Sequence, residues 1–238
     1  MKAVVWNCRG VESPLTVPQL REVVRLYSPS LVFLSDTKKK KSYLNSVMQW
    51  IRFDKVFVVD LVGRAGGLAV IWKQELRVKR VLLTSFTIEL LIEDTEFGFD
   101  WWCICAYASS DAGIRKEQWN VIYRRSAMWG EHWAIMGDLN DITSNGEKWG
   151  GNLRAEVRFQ DFNSFINNNE LVDIGFEGVS WTWCNNWGNE GEVKERLDRI
   201  LGTKEWIRKM DKAKCLHVKT EALDHCMLVL DTNPGGKK

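Results

Sequence analysis

With 238 residues, 45% of them hydrophobic, the chain carries enough apolar mass for a sizeable core in one large domain or two small ones, and a disordered chain is excluded. Its 33 Lys+Arg against 31 Asp+Glu leave a net charge of +2, so no global basic field announces a nucleic-acid partner and any such partner must be held by a local patch. No apolar run approaches the roughly 20 residues that span a bilayer, and Met1 to Trp6 runs into Asn7 and Arg9 without the features of a signal peptide, which predicts a soluble intracellular protein.

Ala3-Val4-Val5-Trp6 reads as a buried strand that delivers Asn7 at its end, with Gly10 closing it. Val17, Leu20, Val24 and Tyr27 fall at helical spacing before Pro29, and Pro18 is tolerated in the first turn. Leu31 to Leu34 is a second buried strand, carrying Ser35-Asp36-Thr37-Lys38 at its tip. The four cations Lys38 to Lys41 lead into an amphipathic helix marked by Leu44, Val47, Met48 and Ile51. Such a run suits either a solvated helix start or a phosphate-facing surface, because cations in a first turn oppose the helix dipole.

Val56 to Val59 and Leu68 to Trp72 are further strands, and the glycine cluster Gly63 to Gly67 between them lacks the spacing of a phosphate-binding loop, so it predicts a tight turn. Val78 to Leu83 and Phe86 to Ile92 suit antiparallel neighbours, and Trp101 to Tyr107 is a strand ending in Tyr107. The six cysteines show no paired metal-ligand spacing and are expected as reduced thiols, with Cys103 and Cys105 on one face of that strand. A helix with Trp119, Ile122, Tyr123 and Ser126 on one face follows.

Trp133 to Asp141 then gives a short apolar strand, a glycine, and Asp138 with Asn140. Two such residues, two apart on an extended segment, point the same way and can address one water or one metal-bound oxygen; alone, the stretch also fits an ordinary turn. Phe159, Phe162, Phe165 and Ile166 mark another helix. Ser180 to Cys184 alternates like a half-exposed strand, and Arg196-Leu197-Asp198-Arg199 reads as a salt-bridged surface turn. A short helix around Glu205 to Met210 and a strand around Cys215 to Val218 precede Asp224-His225 and a final strand. Of the three histidines, His132 and His217 fit structural or exposed positions, and His225 alone adjoins an acid. The pattern predicts one α/β domain over residues 1–232 with a tail at 233–238.

The polar tips Asn7, Asp36, Tyr107, Asp138 with Asn140, Asp198, and Asp224 with His225 can converge at one end of stacked sheets. Oxygen donors with few His or Cys candidates favour Mg²⁺ or Mn²⁺ over zinc, and phosphodiester hydrolysis is the chemistry such a set suits. In order, Trp6-Asn7-Cys8-Arg9-Gly10, Gly137-Asp138-Leu139-Asn140, Ser180-Trp181-Thr182-Trp183, Arg196-Leu197-Asp198-Arg199 and Asp224-His225 resemble the endonuclease/exonuclease/phosphatase superfamily over nearly the whole chain. Within it the chain is most similar to the endonuclease domain of plant non-long-terminal-repeat retrotransposons, related to apurinic/apyrimidinic endonucleases.

The resemblance implies a four-layer α/β sandwich of two packed mixed sheets flanked by helices, and a monomer acting on DNA, plausibly in the nucleus, without a membrane. It implies that Asp138 orients or deprotonates the attacking water with Asn140 fixing its position, and that Asn7 supports that group and the metal region. By the same resemblance Asp36 and Asp224 bind the cation, His225 oriented by Asp198 hydrogen-bonds the scissile phosphate, and Tyr107 assists at the phosphate or leaving group. Arg9, Lys38, Lys39, Arg154 and Arg199 are the candidates for a local DNA-binding set, with Trp181 or Trp183 touching the minor groove or a distorted base. Three positions depart from the family: Asp36 stands where Glu is usual, Leu223 where Ser is usual, and Met227 replaces a frequent Pro. These departures bear on activity rather than fold, and two alternatives stand beside a DNA-nicking enzyme: a non-cutting retroelement relic that binds nucleic acid or a partner, and a phosphatase or phosphodiesterase acting on a small phosphorylated molecule.

Overall fold

The computed structural model describes residues 1–60, 66–188, 191–220 and 224–235. Apolar runs with β-branched residues form the strands, and i, i+3, i+4 stripes form the helices. In chain order the first half comprises β1 (Lys2–Asn7), α1 (Thr16–Tyr27), β2 (Leu31–Ser35), α2 (Lys41–Trp50), β3 (Lys55–Val59) and β4 (Leu68–Trp72). It continues through β5 (Val78–Leu83), β6 (Thr87–Asp94), β7 (Phe99–Tyr107), α3 (Ala112–Trp129) and β8 (Trp133–Asp138). After β8 come β9 (Lys148–Trp149), α4 (Gln160–Asn168), β10 (Leu171–Asp173), β11 (Glu177–Gly178) and β12 (Trp183–Cys184). The chain closes with β13 (Lys194–Glu195), β14 (Asp198–Thr203), α5 (Lys204–Lys209), β15 (Lys214–Val218) and β16 (Met227–Asp231).

Two mixed sheets result, ordered β11-β15-β16-β1-β2-β4-β3 and β10-β14-β8-β7-β6-β5, with a small third sheet β12-β13-β9. The alternation of a strand decides the layers. On β1, Ala3 and Val5 join Phe33, Val70, Leu90, Cys103, Met136 and Leu228 in the core between the sheets. Val4 and Trp6 face the other way, under Leu20 and Val23 of α1 and Leu44 and Val47 of α2. On the far side Ile104 and Ile135 pack under Trp119 and Ile122 of α3 and Phe162 and Phe165 of α4. Helix, sheet, sheet, helix is the expected four-layer sandwich, and central strands buried on both faces explain their nearly unbroken apolar sequences. Among the described residues, no helix is long and apolar enough to cross a membrane.

Four local expectations are corrected. Arg196 to Arg199 is no surface turn: β14 is buried from Asp198 to Thr203, and Arg196 and Arg199 are buried with it. Tyr123 lies off the buried face of α3 and is 54% exposed, because the stripe runs through Arg115, Trp119, Ile122 and Trp129. Only Trp183–Cys184 of the Ser180 to Cys184 stretch forms a strand. There the Thr182 hydroxyl takes the backbone N–H groups of Leu197 and Asp198, at 3.0 and 2.8 Å, beside its own backbone bond to Glu195. The expected helix from Phe159 begins instead as a 3₁₀ turn, Glu156–Phe159, before α4. All six cysteines are free and buried, with the Cys103 and Cys105 sulfurs 3.9 Å apart. Residues 61–65 of the glycine turn, Leu223, and the end of the 233–238 tail from residue 236 lie outside the described residues.

Candidate active site

Register brings the polar tips together. Asp138, the last residue of β8, lies beside Tyr107 on parallel β7 and opposite Asp198 on antiparallel β14, so three adjacent strands put a functional side chain at one level. Asn7 ends β1 beside Ser35 of β2, one residue before Asp36. Gly137 permits the close approach of β7 and β8. Its φ is +145°, and an added Cβ would stand 1.9 Å from the Ala106 carbonyl oxygen.

The side chains then form a continuous buried chain. His225 Nδ1 is 2.9 Å from Asp198 Oδ2, which assigns the Nδ1 proton to that bond. His225 Nε2 lies 3.3 Å from Asn7 Nδ2 and 3.8 Å from Asp138 Oδ2. Asn7 Nδ2 donates to Asp138 Oδ2 at 2.8 Å. Asn140 donates twice to Asp138, from its backbone N–H at 3.0 Å and its amide at 3.2 Å, and its amide is itself anchored on the Ala108 carbonyl at 2.7 Å. The Trp6 indole N–H donates to the His225 carbonyl at 3.3 Å, fixing the backbone behind the ring. Thr182, which the sequence reading missed, holds the Asp198 backbone; only its place inside the Ser-Trp-Thr-Trp motif pointed to it.

Three groups are displaced from their ordinary ionisation. Burial raises the Asp138 carboxyl, Asp198 raises it further, and the opposing pull of His225, Asn7 and Asn140 leaves it at about 6. Burial depresses His225, but the Asp198 and Asp138 carboxylates overcome this and lift the imidazole to about 9. Tyr107 is pushed well above the usual phenol range by burial, then by Asp36 and Asp138, so near neutrality its hydroxyl is a proton donor. A carboxyl able to take a proton near neutrality therefore faces a cationic donor, which is the division of labour that general acid–base chemistry needs.

The acids expected to hold a cation are arranged differently. Asp36 is nearly buried, its Oδ1 accepts the Gly66 N–H at 3.0 Å, and its Oδ2 is 3.0 Å from the Lys38 ammonium. Asp224 Oδ2 is 3.1 Å from Arg9 Nε and accepts the Trp183 indole N–H at 3.3 Å. One ligand atom each from Asp138, Asp198 and His225 lie within 4.8 Å of one another, a set that could hold an ion, but Asp36 and Asp224 are not in it. Because His225 Nδ1 is committed to Asp198 and Nε2 stands 3.8 Å from Asp138, we read that trio as a relay of one hydrogen bond and one ion pair. The donor chemistry at Asp36 does fit a hard cation: a buried carboxylate whose counter-charge, Lys38, is 39% exposed and also donates to the Arg9 carbonyl at 3.3 Å.

The expected DNA contacts divide. Arg9 stands at the mouth of the site. Lys39 pairs with Glu12. Arg154 is held by Asp141 at 3.2 Å and Glu195 at 2.5 Å. Trp183 bridges to the His225 backbone, while Trp181 lies under the Lys194 and Lys219 ammoniums. Arg199 is corrected: its side chain is 1% exposed and spent on Glu147 and Asp173, so no DNA phosphate can reach it.

Solved structures of similar fold include nucleases. The endonuclease domain of TRAS1, a telomere-specific non-LTR retrotransposon, superposes with a TM-score of 0.72 at 14% identity over 99% of both chains. An AP endonuclease from Archaeoglobus fulgidus gives 0.75 at 14% identity, covering 97% of this chain and 98% of its own. The 3'-5' exonuclease NExo from Neisseria meningitidis gives 0.69 at 16% identity, over 97% and 99%. No curated protein matches. The two packed mixed sheets and the relay at their common end agree with the match of residues 4–210 to one family profile, and the chain belongs to the Endonuclease/Exonuclease/phosphatase family.

Proposed function

We propose that the protein is a divalent-metal-dependent phosphodiester hydrolase that nicks DNA. The observation that carries this is the buried chain Asp198–His225–Asn7–Asp138, with Tyr107 beside Asp138 and with the two ends poised as donor and acceptor. Asp138 takes the proton of the attacking water, and Asn140, pinned on the Ala108 carbonyl, keeps that carboxylate aimed. His225, held by Asp198, donates to a phosphate oxygen as negative charge grows there, and the Tyr107 hydroxyl adds a second donor. Asp36 and Asn7 would hold the Mg²⁺ or Mn²⁺ ion, which when bound supplies charge neutralisation at the phosphate. Nicking of supercoiled plasmid, run beside a panel of phosphomonoesters, tests the reading. Turnover of monoesters without nicking would favour the small-molecule alternative.

The pH dependence follows from the shifted groups. Protonation of Asp138 removes the base and deprotonation of His225 removes the donor, so we expect a bell-shaped rate with an acid limb near 6 and an alkaline limb near 9. Asp138→Glu should move the acid limb and leave the alkaline one. A profile flat from pH 5 to 10 would refute both roles.

The pairing of Asp36 with Lys38 favours a second reading, a weakened enzyme or a relic that binds without cutting. An ion must displace the ammonium to reach a carboxylate one methylene shorter than Glu. We expect Asp36→Glu and Lys38→Gln each to tighten Mn²⁺ binding on the order of 10-fold, as changes around metal ligands typically do, with Asp36→Glu also speeding cleavage. Calorimetric titration with Mn²⁺ measures this, and unchanged affinity in both variants would remove Asp36 from the metal seat.

A further inference from the structure

We infer that the ridge Leu153 to Arg158 is the seat of the DNA strand flanking the scissile phosphate, an inference that rests on the DNA-hydrolase reading. A cavity of about 830 Å³ beside the site is lined by Arg9, Asn140 and Trp183 together with Leu153, Val157 and Arg158. Its volume exceeds what a phosphomonoester needs, so a substrate held beside Asn140 has room to continue along the ridge.

The ridge is built to present its side chains. The Arg154 backbone is clamped at both polar atoms by Asn145, with two bonds of 2.9 Å, and its guanidinium is tied to Asp141 and Glu195. At the other end Phe159 is buried. Leu153, immediately before the first anchor, is 78% exposed, and Val157, between the two, is 64% exposed. Scattered exposed apolar residues are ordinary, but two on one pinned ridge, lining the same cavity as the site, form a rigid apolar edge. Rigid apolar side chains beside cations suit a duplex, in which they lie against sugars or wedge at a base step while arginine meets phosphate.

The charges agree with that occupant. The acids lining the cavity are already matched: Glu195 by Lys148 at 2.9 Å and by Arg154, and Asp161 by Lys116 at 2.9 Å. Arg158 is exposed, and among the described residues no carboxylate pairs with it. Arg158 therefore offers the cavity a guanidinium without a carboxylate partner among the described residues, beside exposed Glu156 on the same ridge.

The test compares parent, Leu153→Ser with Val157→Ser, Leu153→Ala alone, and Arg158→Gln. Each is assayed on a duplex oligonucleotide and on bis(p-nitrophenyl) phosphate, a diester too small to reach the ridge. We expect the ratio of kcat/KM on duplex to that on the small diester to fall about 10-fold for the double serine variant, mainly through KM, with Leu153→Ala intermediate. Fluorescence anisotropy of duplex binding should show a log Kd against log salt slope smaller by about 1 in Arg158→Gln. An unchanged ratio and an unchanged slope would overturn the inference. A parent that binds duplex through the ridge but cleaves neither substrate would sink the hydrolase reading and leave the ridge standing; a parent that binds no duplex sinks the ridge.

Discussion

Asp138→Asn should lower the rate of diester hydrolysis by ~10²–10⁴-fold, the usual worth of a positioned general base, and His225→Ala should cost a comparable factor through the lost donor. Both side chains are almost fully buried and both stand against the same Asn7 amide nitrogen, at 2.8 and 3.3 Å, so the two losses should not add. The double variant should be little slower than the worse single one, as expected for residues that act as a unit. Asp198→Ala should approach the His225→Ala rate, because without the carboxylate 2.9 Å from Nδ1 the ring loses both its orientation and the charge that keeps it protonated. Single-turnover rates on nicked-plasmid formation, with circular dichroism to confirm folding, measure this. If Asp138→Asn or His225→Ala cuts as fast as the parent, the assignment of the relay as catalytic is wrong.

What could be read beforehand divides along physical lines. The central strands announced themselves because a strand buried on both faces must be apolar throughout, as in Leu31 to Leu34 and Trp133 to Met136. The tips Asn7, Asp138, Asp198 and His225 were legible as a set because each follows or opens such a run within a motif whose order matches the family. Partnerships across long separations were not legible. Arg199 reads as a surface cation until Glu147, 52 residues earlier, and Asp173, 26 earlier, fold against it. Thr182 reads as one more residue of an alternating strand, yet its hydroxyl accepts the backbone N–H of Asp198. Asp36 was recognised as a short substitute for Glu, but that Lys38 closes on it depends on left-handed backbone at both residues, φ +50° and +54°, which no local pattern announced. Lys38 and Arg154 suit phosphate contacts by charge alone, and the fold spends both on carboxylates.

Arg199→Met should be the most destabilising single change outside the hydrophobic core. The guanidinium is almost wholly buried; its two terminal nitrogens reach Glu147 at 2.8 and 2.5 Å and Asp173 at 3.3 Å, and one also donates to the Arg196 carbonyl at 2.9 Å. Removing one partner of a buried ion pair typically costs ~3–5 kcal/mol, because the other charge is left without compensation. Here Arg196 still touches both acids, at 3.3 and 2.8 Å, so the lower end of that range applies. For a domain of this size about 3 kcal/mol corresponds to a fall in Tm on the order of 10 °C. The pH dependence identifies the cause. Burial pushes the Glu147 carboxyl up, yet the hydrogen bond and charge of Arg199 overcome it and hold the group at about 2. A carboxyl lowered in the folded state contributes stability that is complete above its unfolded value of about 4.5 and is lost as pH falls through about 2. The variant lacks most of that contribution, so its Tm deficit should be largest at pH 7 and shrink between pH 4.5 and 2. Calorimetric scans of parent and variant across that range decide the matter: a deficit below 2 °C at pH 7, or one that grows on acidification, would mean that the Arg199 cluster does not hold β14 in place.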